Sequence, residues 1–316
     1  MKIVVLDGHA LNPGDLSWED FKNLGDFTLY NRTAKEKVVE RIGNAEILIT
    51  NKVSITKDIM DSCPNLKYIG VLATGYNIID IQAAAEKNIV VTNIPAYSTK
   101  AVAQAVFAFI LEFTNGVSSH NRSVQQGDWC AVKDFCYWKH PLMELENKTL
   151  GIIGYGSIGQ QVAKIAHSFG MKILVHTRTP SKVQFPAQVV TLQNLLNNSD
   201  FISLHAPLTE ETKHIINEKT IEQIKSGAML INTARGALVD ELAVKQALEQ
   251  NKLSAYATDV LSTEPMSKDC PLLNAKNTII TPHVAWAAYE TRQRLMKIAK
   301  ENLQAFLEGT PINQVN

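Results

Sequence analysis

Leu150-Gly151-Ile152-Ile153-Gly154-Tyr155-Gly156-Ser157-Ile158-Gly159 decides how this chain folds. The opening residues are aliphatic enough for a buried strand, and Val162, Ile165 and Ala166 follow at helical spacing. A second β-branched run, Lys172–Val175, comes next. Gly-x-Gly-x-x-Gly alone is a weak pattern; leaving a strand and opening a helix inside a βαβ unit, it is the fingerprint of a dinucleotide-binding turn. Gly154 permits the tight turn, Gly156 lets the backbone approach a pyrophosphate, and Gly159 lets the helix pack close to the strand. The helix N-terminus then offers backbone N–H groups and a positive dipole end to phosphates.

Outward from this unit, short apolar runs alternate with helical stretches, the pattern of parallel sheets covered by helices. Downstream strands are predicted at Leu150–Ile153, Lys172–Val175, Phe201–Leu204, Met229–Ile231, Ala255–Asp259 and Thr278–Ile280. Upstream ones fall at Lys2–Leu6, Phe27–Tyr30, Ile47–Thr50, Tyr68–Val71 and Val90–Thr92. Thr33-x-x-Glu36 predicts a capping box opening one helix, and Thr56 is expected to cap another. Two stretches break the alternation. Ser98 to Gln126 reads as one long apolar helix, and Gly127 to Leu145 is irregular and aromatic, with Trp129, Phe135, Tyr137 and Trp138. A loop of that length usually has a function. Thr291–Leu307 is a final amphipathic helix, expected to return to the first lobe. The expectation is an α/β protein of two Rossmann-like or flavodoxin-like domains with parallel sheets and a cleft between them.

Composition narrows the classes of partner. The 316 residues exceed one ordinary domain, and 45% are hydrophobic, enough for two cores. With 31 basic and 31 acidic residues, no charge imbalance points to nucleic acid or a membrane surface. The N-terminal run Ile3–Leu6 has the length of a strand, not of a signal-peptide core, and Ala105–Leu111 is far short of a membrane span. A cytoplasmic protein is expected. Cys63, Cys130, Cys136 and Cys270 show neither a CxxC pair nor ligand spacing with histidine, so no metal is expected.

The strand after the glycine turn carries the nucleotide discriminator. An acid there would bond the ribose diol of NAD. Here His176-Thr177-Arg178-Thr179 offers none, and Arg178 is able to clamp a 2′-phosphate. The expected cofactor is NADP or NAD, with NADP preferred.

Three polar residues stand just beyond strands in the second half: Arg235 in INTARG, Glu264 in DVLSTEP and His283 in TPH. Such positions line the ligand crevice of parallel sheets. With GYGSIG and LHAPLTEET, these strings resemble, in order and spacing and over essentially the whole chain, the D-isomer-specific 2-hydroxyacid dehydrogenases. The resemblance implies a substrate-binding domain from 1–97 plus 289–316 and an NAD(P)-binding Rossmann domain from 98–288, with a dimerisation arm at 98–145. It implies hydride transfer between a nicotinamide and C2 of a small 2-oxo or 2-hydroxy acid. Arg235 would fork onto the carboxylate, which lysine would do less well. His283 would act as general acid and base, its ordinary pKa of about 6.5 suiting both directions. Glu264 would hold the imidazole tautomer. Along the cofactor the family pattern places Gly154, Tyr155, Gly156, Ser157, Ile158, Gly159, Thr177, Arg178, His205, Ala206, Pro207, Thr212, Thr233, Ala234, Asp259 and Ala285. Asp259 corresponds to a carboxamide contact, or it caps a turn. Around the substrate the pattern places Ala73, Thr74 and Gly75, with Arg235, His283, Trp286 and Trp138.

Four further strings, VLATGYNIID, NIPAYSTKAVAQ, DFCYWKHPLMEL and HVAWAAYE, resemble the glycerate dehydrogenase (hydroxypyruvate reductase) subgroup. That implies reduction of hydroxypyruvate and glyoxylate to D-glycerate and glycolate by a homodimer, in which Trp138 either reaches the partner's pocket or packs within the arm. Two alternatives stay open: a phosphoglycerate or D-lactate type of substrate, and an NAD(H)-sensing corepressor of the same fold.

Overall fold

Buried strands dictate both sheets of the computed structural model, which describes residues 1–183 and 186–316. The chain divides into two compact units, Met1–Ser98 with Ala287–Asn316, and Thr99–Trp286. In the first, β1 (Lys2–Val5), β2 (Asp26–Leu29), β3 (Ile47–Thr50), β4 (Tyr68–Val71) and β5 (Val90–Thr92) form a parallel sheet in the order β2-β1-β3-β4-β5. Every residue of β3 and β4 is buried, as required of strands covered on both faces. The short helices α1 (Glu19–Lys22), α2 (Val38–Ile42), α3 (Lys57–Ser62) and α4 (Ile81–Glu86) connect them.

The capping box expected at Thr33 does not form. Its hydroxyl donates to the carbonyl of Leu6 and accepts Arg41 Nη1 at 2.8 Å, so a tertiary partner takes the group that the helix would have used. A 3-10 turn at Lys35–Lys37 precedes α2 instead. Thr56 does stand at the N-cap of α3, without a side-chain cap bond.

The second unit opens on two helices where the sequence predicts one. The single helix expected from Ser98 to Gln126 is two, α5 (Thr99–Asn115) and α6 (Val117–Gln125), bent by 53°. Gly116 sits between them at φ +56, and a Cβ there would lie 2.1 Å from the ring of His140. Residues 24 positions downstream thus fix the break, which no local pattern announces. The irregular stretch that follows holds one short helix, α7 (Asp128–Ala131).

The remainder alternates as expected: β6 (Thr149–Ile153), α8 (Ser157–Ser168), β7 (Lys172–His176), β8 (Gln188–Val189), α9 (Leu192–Asn198), β9 (Phe201–Leu204), α10 (Glu218–Gln223), β10 (Ala228–Asn232), α11 (Glu241–Glu249), β11 (Leu253–Thr258) and β12 (Thr278–Ile280). The two-residue β8 carries too little periodicity to be seen in sequence. The sheet is parallel throughout, in the order β12-β11-β10-β9-β6-β7-β8. One core, between α5, α8 and the sheet, gathers Val106, Ile110, Ile152, Val162, Val175 and Ile231.

The last helix, α12 (Tyr289–Leu307), belongs to the first unit. Its fully buried Asn302 donates to Asn93 O at 2.9 Å and accepts from Asn313 Nδ2 at 2.7 Å. The terminal residues then pair with β5, Val315 N donating to Val91 O at 2.9 Å. Among the described residues no single helix is long and apolar enough to cross a membrane; the bent pair α5–α6 passes on length and composition, but the apolar face of α5 is core.

Candidate active site

Strand order locates the dinucleotide turn. β6 and β9 are neighbours although β7 and β8 lie between them in sequence, so their carboxyl ends flank the topological switch point where open α/β sheets bind ligands. Gly154 leaves β6 at φ +94, and a Cβ there would fall 2.5 Å from Ala206 N and 2.6 Å from the carbonyl carbon of His205. Any side chain would push the turn off the segment that leaves β9. At Gly159 the obstacle is Gly154 O, 2.3 Å from the would-be Cβ, which is the close helix–strand approach expected.

Gly156 is the opposite case. A Cβ there would meet nothing within 4 Å, and no side chain caps the 12-residue helix α8 that it begins. Tyr155 and Ile158 turn their side chains to the core, which leaves the backbone of the turn as its ligand-facing part. Two buried polar atoms beyond adjacent strands, His205 Nδ1 after β9 and Thr233 Oγ1 after β10, lack hydrogen-bond partners among the described residues. Orphaned polar atoms of this kind carry a desolvation penalty that a ligand would relieve. Together with the uncapped helix end they fit a dinucleotide.

At the discriminator, Thr177 is half-buried and its hydroxyl accepts Thr179 N at 3.3 Å, while Arg178 is exposed. The Thr209 hydroxyl holds the Glu211 carboxyl below its ordinary range, with a smaller contribution from the charge of Arg178, which therefore lies within electrostatic reach of the loop 204–212. Thr212 spends its own hydroxyl inside that loop, on Pro207 O at 2.7 Å and Thr209 N at 2.8 Å.

Arg235, Glu264 and His283 follow β10, β11 and β12, three adjacent strands. His283 Nδ1 meets Glu264 Oε2 at 2.7 Å. A carboxylate facing Nδ1 fixes the proton on that nitrogen and leaves Nε2 to act elsewhere. The Glu264 side chain also accepts Leu261 N at 2.9 Å through Oε1. Both side chains remain about a third exposed, at 30% and 37%. Arg235 is exposed and spends one N–H on Ala234 O at 2.7 Å.

Buried side chains hold these loops. Asp259 Oδ1 accepts Val284 N at 2.8 Å and the Thr281 hydroxyl at 2.5 Å, and Oδ2 accepts Ala285 N at 2.8 Å. Asp259 thus ties together the turn that follows β12. His283 lies at φ +56, a left-handed conformation uncommon for histidine. It is held there by its N–H to Thr281 O at 2.9 Å and by the Trp286 indole, which donates to His283 O at 2.8 Å. Asn232, fully buried, makes an Asx turn to Ala234 N at 3.0 Å and donates to Arg235 O at 2.9 Å. Its place in INTARG was legible; its role was not, because an asparagine before a turn signals only the turn.

Ala73, Thr74 and Gly75 belong to the first unit, beyond β4. Thr74 Oγ1 donates to Ile94 O at 2.7 Å, and Asn93 Nδ2 to Thr74 O at 2.8 Å. Trp138 lies in the irregular stretch of the second unit and is 66% exposed, as Phe135 is 89%.

Burial pushes His205 down to about 3, so the folded protein holds it neutral. The unfolded chain titrates near 6.5 and binds the extra proton between about pH 6.5 and 3. Stability is retained above that window and lost as pH falls through it. Between pH 7 and pH 5 the cofactor-free protein is expected to lose about 2 kcal/mol that a His205→Asn variant does not lose. Urea unfolding at both pH values checks this; equal losses in the two proteins would remove His205 from the account.

The family model for the NAD binding domain of D-isomer specific 2-hydroxyacid dehydrogenase matches residues 107–285. A hydroxypyruvate reductase of Blautia hydrogenotrophica is 47% identical, over 100% of both chains. A glycerate dehydrogenase of Methylorubrum extorquens is 38% identical, over 99% of this chain and 98% of its own. Among solved structures, the acyclic imino acid reductase Bsp5 in complex with NADPH and D-Arg superimposes with a TM-score of 0.88 at 32% identity, over 100% of both chains.

Proposed function

The chain belongs to the D-isomer specific 2-hydroxyacid dehydrogenases, and from that premise we propose that it reduces hydroxypyruvate to D-glycerate, and glyoxylate to glycolate. The observation that carries this reading is the 2.7 Å bond between His283 and Glu264, with Arg235 after the adjacent strand β10, at the strand ends of an NAD-binding domain. A bound reduced nicotinamide supplies the hydride, two electrons that go to C2 of the substrate. His283 delivers the proton from Nε2 to the former carbonyl oxygen, so that C=O becomes CH–OH. Glu264 stabilises the imidazolium before that transfer and keeps Nδ1 protonated after it. Arg235 pairs with the substrate carboxylate through its fork. In the first unit, the turn Ala73–Gly75 is the proposed backbone donor to a carboxylate, and Trp286 and Trp138 are proposed substrate contacts.

Cofactor choice rests on Thr177 and Arg178. An aspartate in place of Thr177 would repel a 2′-phosphate by about 4 kcal/mol at 4 Å and an effective dielectric near 20. Here that repulsion is absent and Arg178 offers a cation. We therefore propose NADPH in preference to NADH, with Asp259 and Ala285 near the nicotinamide.

His283→Ala is expected to lower turnover about 10²- to 10⁴-fold with little change in cofactor affinity. Near-normal turnover at neutral pH would exclude it as the acid. Parallel assays of NADH and NADPH oxidation with hydroxypyruvate, glyoxylate, pyruvate and phosphohydroxypyruvate test the substrate. In the same assay Thr177→Asp is expected to swing kcat/KM towards NADH; a wild type that uses NADH at least about tenfold better would show that Arg178 binds no phosphate. The exposed Trp129, Phe135, Trp138 and Leu142 of the arm make a homodimer the proposed assembly. Light scattering at micromolar concentration checks it, and a stable active monomer would refute it.

A further inference from the structure

Two successive backbone amides beyond β11 are each claimed by a carboxylate. Leu261 N donates to Glu264 Oε1 at 2.9 Å, and Ser262 N donates to Glu241 Oε1 at 2.7 Å. Glu264 uses its other oxygen to hold His283. Glu241 is the first residue of α11, is half-buried, and has no part in the chemistry set out above. Its second oxygen lies 3.9 Å from Cys270 Sγ, and the buried Tyr256 hydroxyl feels the charge of Glu241.

The same short segment is gripped from another direction. A Cβ on Gly236 would fall 1.9 Å from the carbonyl carbon of Leu261 and 2.2 Å from Ser262 N. The residue next to Arg235 therefore lies flat against the turn that leads to Glu264. Backbone contact sets how close the turn can come, but it supplies no direction. The Glu241 carboxylate does, since a hydrogen bond to an ionised acceptor is roughly twice as strong as a neutral one and is angle-dependent.

We propose that Glu241 is a positioning residue: by holding Ser262 N it sets the Leu261–Glu264 turn and so the orientation in which Glu264 meets His283. Its catalytic consequence rests on the dehydrogenase reading of the site. Without Glu241 the Ser262 amide turns to water, Glu264 samples other orientations, and His283 loses its fixed tautomer. Misplacing a reacting group by about 1 Å is enough to cost about 10²-fold in rate.

The test uses the full chain with Glu241→Ala, Glu241→Gln and, as reference, Glu264→Gln. Glu241→Ala is expected to lower kcat about 10- to 100-fold, to leave KM for the nicotinamide cofactor unchanged, and to move the pH profile of kcat/KM in the direction of Glu264→Gln. Glu241→Gln keeps an acceptor oxygen for Ser262 N and is expected to restore the wild-type profile. Nitrogen-15 NMR of the imidazoles, without substrate, is expected to show the His283 ring signals of Glu241→Ala displaced towards those of Glu264→Gln. That readout needs no turnover: displaced signals in a chain that reduces no 2-oxo acid would defeat the dehydrogenase reading and sustain the positioning role. A Glu241→Ala protein that melts earlier, yet keeps the wild-type pH profile and unmoved His283 signals, would overturn the proposal and leave Glu241 as a helix-end carboxylate.

Discussion

Asp259 is 2% exposed, and the loop that presents His283 is built around its carboxylate. Taking a carboxylate out of water costs several kcal/mol unless its lone pairs are satisfied. Here two backbone amides and one hydroxyl satisfy three of them, each a bond of about 1.5–3 kcal/mol to a charged acceptor. Those donors all come from Thr281–Ala285, so the charge can be accommodated only if the chain beyond β12 takes one path. That path puts His283 at φ +56, a conformation that costs about 1–3 kcal/mol and persists only when its surroundings over-determine it.

The same logic is repeated one strand over. Asn232, buried at the end of β10, ties down the backbone of Ala234 and Arg235, and its own carbonyl accepts Asp259 N at 3.0 Å. Glu264, on the loop after β11, is fixed by Leu261 N and by the histidine that it orients. Three exposed functional groups therefore depend on buried or half-buried polar anchors at the ends of three adjacent parallel strands. The sheet is the rigid element, the anchors convert strand ends into defined turns, and the reactive atoms stay in solvent reach. Towards the middle of the sheet, the glycine turn after β6 leaves an uncapped helix end, and His205 Nδ1 after β9 and Thr233 Oγ1 after β10 have no partner among the described residues, a site organised to receive a ligand rather than to close on itself.

Much of this is legible in the amino-acid sequence. Most strands are short, largely apolar runs, because parallel sheets bury both faces and therefore need no alternation to be recognised. The glycine fingerprint is local chemistry: each glycine is demanded by a turn or a close approach within a few residues or one neighbouring strand. Arg235, Glu264 and His283 were visible for the same reason, as polar residues placed immediately after apolar runs.

What sequence determined by itself, then, were the features whose physical cause lies within a few residues or in periodicity: the α/β class, the parallel sheets, the dinucleotide turn and the chemical identities of the functional side chains. Tertiary structure alone decided the features whose cause is distant along the chain. α5 and α6 part at Gly116 under the ring of His140, and Thr33 abandons a helix cap because Leu6 and Arg41 reach it first. Glu241, at the start of a helix in sequence, becomes a partner of Ser262, 21 residues on. Each of these is a competition for one hydrogen-bonding group or one small space. A local pattern can name the contestants on its own segment, but only the folded chain brings in the one that wins.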